Sequence, residues 1–253
     1  MRVAGRSGLR QHLYGTPKGA FRALGSRVIT RRRSRCRVPN VSENTPPPGF
    51  RDLLGMLAYA ELLAFDRMAA DARLAPDLHR RAVLCEMAAV EIANYRRITD
   101  RLASAGIDPP EAMSPFLGAL ASYHEATEPT DWLEALTKAY IGDGIADDFF
   151  REIAEHLDEP DRELVLQVLH DDAYDEFASA EIRSAIAVDP KVANRLSMWA
   201  RRLVGEALSQ AVRVAGEHSD LVALIGDAEV GERLFTRLKQ AHAERMAAVG
   251  LNN

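Results

Sequence analysis

The chain has 253 residues, 47% of them hydrophobic and 27% charged, which is the balance of a folded globular protein and not of a disordered one. No apolar run approaches the ~20 residues that a membrane-spanning helix requires. Two cysteines, Cys36 and Cys85, make neither a disulfide framework nor a zinc pattern, and a reducing cytoplasm fits them.

The formal net charge of −5 is unevenly spread. Residues 1–42 hold ten arginines and one lysine without an acid, or +11; by subtraction 43–253 hold 21 Lys+Arg against 37 Asp+Glu, or −16. An acidic body of this size disfavours a broad phosphate-binding face. The block Arg31-Arg32-Arg33-Ser34-Arg35 could instead touch nucleic acid or anionic lipid. The Arg-rich, acid-free composition also mimics a transit peptide. Residues 1–48 show no apolar periodicity and end in Thr45-Pro46-Pro47-Pro48-Gly49, so they are expected to be a basic flexible tail.

Beyond this linker the pattern is helical throughout. Residues 49–73 place Leu54, Leu57, Ala58, Ala64, Phe65 and Met68 on one stripe. A second helix spans 77–105, preceded by Pro76 and closed by Gly106-Ile107-Asp108-Pro109-Pro110, with Cys85 expected on its core side. Asp131 can cap a third helix reaching about 157. Asp158-Glu159-Pro160-Asp161 precedes a fourth, expected unbroken to 188, and Asp189-Pro190 starts a fifth carrying Leu196, Trp199, Leu203 and Val214. A further helix is expected over 230–247. The organisation is then a tail (1–48), a helical bundle (49–217) and a C-terminal helical extension (218–253).

One connection is long. Residues 106–130, with a short helical stretch near 111–123, separate the second and third helices, and a tight-turned bundle needs no such segment. A bundle with one crossover must send its chain back ~35–40 Å along its own length. The expected fold is therefore an all-α, ferritin-like four-helix bundle with a long crossover and extra C-terminal helices.

Four carboxylates stand where the stripes call for apolar residues: Glu61, Glu91, Asp143 and Asp171. An isolated buried carboxylate is costly, so such groups neutralise, pair with arginines such as Arg202 and Arg213, or share a metal. A dinuclear metal centre would use all four. Glu206 and Gln210, one turn apart on the fifth helix, can add a ligand or a supporting hydrogen bond, or form a surface pair.

The segments Ala58-Tyr59-Ala60-Glu61-Leu62-Leu63-Ala64-Phe65, Glu86-Met87-Ala88-Ala89-Val90-Glu91-Ile92-Ala93-Asn94-Tyr95 and Tyr140-Ile141-Gly142-Asp143-Gly144-Ile145-Ala146-Asp147-Asp148-Phe149 resemble actinobacterial ferritin-like proteins described as MiaE-like. So do the stretches opening at Asp131-Trp132 and Trp199-Ala200. The resemblance covers roughly 50–217. It implies a non-haem di-iron hydroxylase acting on an isopentenyl-modified adenosine of tRNA. The di-iron pattern wants Glu-x-x-His on the second and fourth helices. Here Asn94 follows Glu91 and Tyr174 follows Asp171, so the implied iron ligands are Glu61, Glu91, Asn94, Asp143, Asp171 and Tyr174. An amide oxygen is a poor donor to iron, and a phenol binds well only when ionised. No other histidine restores the spacing, and His170 reads as a surface residue. A metal-free scaffold that acts through partners therefore stands beside the hydroxylase as the alternative, with a nucleic-acid-associated factor using the arginine tail as a third reading.

Overall fold

The computed structural model describes residues 47–169 and 172–252, which form helices and short turns, with no strand among them. The expectation about the tail lies outside the described residues, as do Asp171 and His170. The first helix, α1 (Phe50–Asp71), starts after Gly49, whose φ of 85° is the left-handed conformation that glycine tolerates. The second, α2 (Leu78–Ser104), is capped by Asp77, whose carboxylate accepts the Arg80 N–H at 2.9 Å. Gly106 closes it at φ 76°: its N–H bonds the Ala103 carbonyl while Ile107 N–H reaches back to Leu102, and these two bonds satisfy carbonyls the helix end leaves open.

The long connection contains α3 (Pro109–Met113) and α4 (Leu117–Ala126), joined by a single 3₁₀ turn. The third helix follows in three parts: α5 (Trp132–Thr137), capped by Asp131, a π-helical turn (Lys138–Asp143), and α6 (Gly144–Ala154).

Glu181 fixes the topology. Its carboxylate pairs with Arg80 in the first turn of α2 (2.6 Å) and accepts from the Trp132 indole in the first turn of α5 (3.4 Å). The second and third helices therefore begin at the same end and run parallel. The 27 residues of α2 climb about 40 Å, and 105–131 must return that distance. The lengthwise crossover is present.

The fourth helix is not continuous, contrary to expectation. It divides into α7 (Glu159–Val168) and α8 (Asp172–Val188), because Leu169 leaves the helix with ψ 155°. Asn94 Nδ2 donates to the Val168 carbonyl at 3.0 Å at this break. Both pieces run antiparallel to α2, with Arg101 on Asp161, Arg97 on Gln167 and Arg80 on Glu181. The Arg101–Asp161 contact is bidentate, at 2.5 and 2.8 Å, with the acid buried. Asp161→Ala leaves the guanidinium half-buried without its partner and should cost about 2–4 kcal/mol in urea unfolding. A loss below about 0.5 kcal/mol would show that the pair is solvated.

The fifth helix, α9 (Lys191–Glu217), runs the length of the bundle. Arg195 reaches Asp131 at its start, and just past its end His218 bonds Asp52 (3.0 Å) and stacks on Phe116. Two helices follow, α10 (Ser219–Ile225) and α11 (Ala228–Ala248); α11 covers the helix expected over 230–247, and α10 precedes it. Arg245 and Arg237 of α11 pair with Asp148 and Glu152 of α6. Cys85 is exposed rather than in the core: Leu84 and Ala88 take the inward positions, and position 85 falls a further 100° round the helix.

Candidate functional site

The apolar interior is not one body but two. One cluster contains Leu53, Leu54, Leu57, Ile98, Leu102 and Phe150; the other contains Met68, Leu84, Leu136, Ile141, Ile182 and Leu203. Each of the first three bundle helices contributes to both, and each switches clusters at an acid. On α1 the first cluster ends at Ala58 and the second begins at Met68, with Glu61 between. On α2 Glu91 and Asn94 fall between Ala88 and Ile98, and on the third helix Asp143 falls between Ile141 and Phe150. The bundle thus has a polar layer across its middle, and the acids that interrupt the sequence stripes occupy it.

That layer borders a cavity of about 330 Å³. Glu61, Glu91 and Asp143 all face it, from three helices, and Asp147 joins them one turn after Asp143. Glu61 and Glu91 are buried, at 6% and 4% exposure; Asp143 is half-buried. The rest of the wall is mainly apolar, from α1, α4, α6, α9, α10 and α11.

Asn94 and Tyr174 do not line the cavity. Asn94 is buried and gives its amide N–H to Val168. Tyr174 is buried too. Desolvation, reinforced by the nearby Asp143 and Glu91 carboxylates, raises its phenol well above the usual value, so it remains protonated and is no anionic ligand. Glu206 is half-exposed and off the cavity, while Gln210 faces it with a buried Oε1 that has no hydrogen-bond partner among the described residues. Arg202 lies over the Trp199 ring and Arg213 pairs with Glu217.

Two histidines that the Glu-x-x-His pattern does not contain reach the cavity. His124 comes from α4 in the crossover and His242 from α11, and both are buried. Burial, with Lys138 and Arg67 nearby, pushes His124 down to about 3, so its ring is neutral; its Nδ1 is buried without a hydrogen-bond partner among the described residues. The π turn places Gly142 against Tyr123 of α4: a Cβ there would overlap the Tyr123 hydroxyl. Burial first, then Asp143, raises that phenol, so it stays protonated beside the carboxylate. Lys138, at the start of the same turn, is buried, donates to the Thr127 carbonyl at 2.9 Å and is lowered by desolvation to about 8. A wide turn of this kind shifts the helix register by one residue, and such turns concentrate at functional sites.

The donors fit a hard divalent ion in kind: several carboxylates and a neutral imidazole. They do not fit in spacing, because among the described residues no three His, Cys, Asp or Glu side chains stand close enough to hold one ion. Among the described residues no helix is long and apolar enough to cross a membrane.

No curated protein matches the sequence. Among solved structures, a protein from Synechococcus with aldehyde deformylating oxidase activity is similar, with a TM-score of 0.64 at 18% identity over 81% of this chain and 90% of that one. At that identity the likeness speaks for the fold. The family model described as "Ferritin-like domain, actinomycetes" matches residues 48–228, from the turn before α1 to the start of α11. With more than half of its length matched, and with the parallel second and third helices and lengthwise crossover in place, the chain belongs to the ferritin-like domain family of actinomycetes.

Proposed function

We propose that the protein is a ferritin-like oxidase or hydroxylase that holds an apolar small molecule in the interior cavity against Glu61, Glu91 and Asp143. The observation that supports this reading is the cavity itself: mainly apolar walls and one polar layer, to which three bundle helices each bring a carboxylate. A cavity of about 330 Å³ lies within the range of ligand pockets. Iron is the cofactor implied by the sequence resemblance, and when bound it would supply oxygen activation. Glu61, Glu91 and Asp143 are the residues to hold it, with Asp171 a further candidate. Loading would have to bring Glu61, Glu91 and Asp143 closer than they stand. Within the pocket, the chain's own contribution is to exclude water from the substrate and to present the protonated phenol of Tyr123 as a hydrogen-bond donor near Asp143.

Hydroxylation of an isopentenyl group carried by tRNA is a narrower form of the same reading. An isoprenoid of five carbons would fill under half of the cavity, since a 150 Å³ cavity already holds benzene. The polyanion would have to be gripped by the arginine-rich 1–42 segment, because 43–253 carry −16.

Anaerobic titration with ferrous iron, followed by metal analysis after desalting, tests the iron assignment. The unaltered protein should retain at least one iron per chain, and Glu61→Ala with Glu91→Ala should lose most of it. Retention equal in both, or none in either, would remove iron from the reading and leave the metal-free alternative.

A further inference from the structure

We propose that the cavity is a site for a single-chain anionic amphipath, an aliphatic chain of about ten to fourteen carbons whose carboxylate-type head is held at the mouth by Lys239 while the chain runs inward to the polar layer. This rests on the ligand-binding half of the reading above, not on the iron.

The chain length follows from volume. A cavity of 150 Å³ accommodates the six carbons of benzene, so about 330 Å³ accommodates roughly thirteen. The direction follows from burial. The inner wall carries the buried Glu61 and Glu91. The outer wall, between the second half of α9 and the α10–α11 pair, carries Leu208, Val222 and Phe235, which are 43%, 38% and 46% exposed. Large apolar side chains left this open on a cavity rim form a lip that a passing alkyl chain can wet.

The head group follows from charge. Glu61, Glu91, Asp143 and Asp147 line the inner region, so an anionic head placed there would meet like charge in a desolvated setting. At the lip stands Lys239, exposed, with its ammonium 5.7 Å from the centre of the Phe235 ring. Its neighbours on α11 are committed: Arg233 to Glu229, Arg237 to Glu152 and Arg245 to Asp148. Among the described residues Lys239 has no such acid. A lysine on a flexible stem beside an aromatic lip can meet a carboxylate without moving the helix. The family match ends at residue 228, so Leu208 and Val222 lie within it and Phe235 and Lys239 beyond it.

Titration calorimetry on the full chain decides the matter, with dodecanoate, dodecylamine and hexanoate as probes. Dodecanoate should bind one per chain, at least tenfold tighter than hexanoate and tighter than dodecylamine. Lys239→Glu should weaken dodecanoate at least tenfold and leave the thermal midpoint unchanged, since the side chain is exposed. Ala60→Phe, which fills the cavity from α1, should abolish binding of all three. Dodecylamine binding best would place a cationic head at the acids and overturn the proposal; so would a Lys239→Glu variant with unchanged affinity for dodecanoate. Iron retention in the Lys239→Glu protein is the separate readout: dodecanoate binding without iron leaves the amphipath site standing and removes only the iron assignment.

Discussion

Gly55→Ala should destabilise the protein by about 3 kcal/mol or more, while Gly205→Ala, the same change in another helix, should stabilise it by about 0.5–1 kcal/mol. In an exposed helix interior the exchange gains roughly the difference in helix propensity, and nothing stands within 4 Å of a Cβ built at Gly205. At Gly55 the geometry reverses the sign. Here α1 lies so close to the crossover that a Cβ would overlap the Ala112 carbonyl oxygen and sit 2.7 Å from its carbon. The obstacle is backbone, so no rotamer change relieves it. Either α3 moves away from α1, exposing Leu54 and Phe116 of the first apolar cluster, or the overlap is carried as strain. Urea unfolding of the two variants beside the unaltered protein measures both signs. A Gly55→Ala protein as stable as the parent would mean that the crossover is not pinned to α1.

The crossover was legible because it is a matter of length: 25 residues between two strongly periodic helices have to go somewhere. The polar layer was legible for a related reason, since Glu61, Glu91 and Asp143 each interrupt a stripe that is otherwise apolar, and an interruption has a position. What sequence periodicity does not carry is a change of one residue in the helical count. The π turn at Lys138–Asp143 widens the helix without ending it, and its Gly142 gave no warning because an isolated glycine inside a helical pattern is tolerated. The break at Leu169 has no Pro or Gly beside it, and the fourth helix read as continuous. His124 and His242 were missed because a Glu-x-x-His search looks along one helix, whereas these rings arrive from the crossover and from α11. For His124 a signal existed in hindsight: it sits at the end of a short apolar helix, four residues after Leu120, on the same face. Cys85 failed for the opposite reason. It is apolar, but a helix wall has room for only one residue per turn at its deepest point.

The neutrality of His124 has a consequence for acid stability that His124→Gln should expose. A histidine whose folded value is depressed opposes protonation in the native state, while the unfolded chain takes the proton at its ordinary value near 6.5. The unfolded state therefore binds more protons than the native state between about pH 6.5 and pH 3, and stability falls as pH is lowered through that window. Between pH 7 and pH 5 the loss attributable to this one ring is about 2 kcal/mol, because at pH 5 the unfolded side chain is already protonated and the folded one is not. The cause is burial first. The positive charges of Lys138 from the π turn and Arg67 from α1 add to it. Asp71, which also faces this corner, acts the other way: desolvation raises its carboxyl, so its protonation at low pH favours the native state. The comparison must therefore be between variant and parent rather than along one curve. Unfolding midpoints in urea at pH 7, 6 and 5 should converge for the two proteins as pH falls, with the variant losing about 2 kcal/mol less than the parent. Parallel curves would show that the folded His124 takes up its proton at an ordinary pH. A protonated imidazole donates from both nitrogens, and Nδ1 would then have no lone pair to offer the cavity.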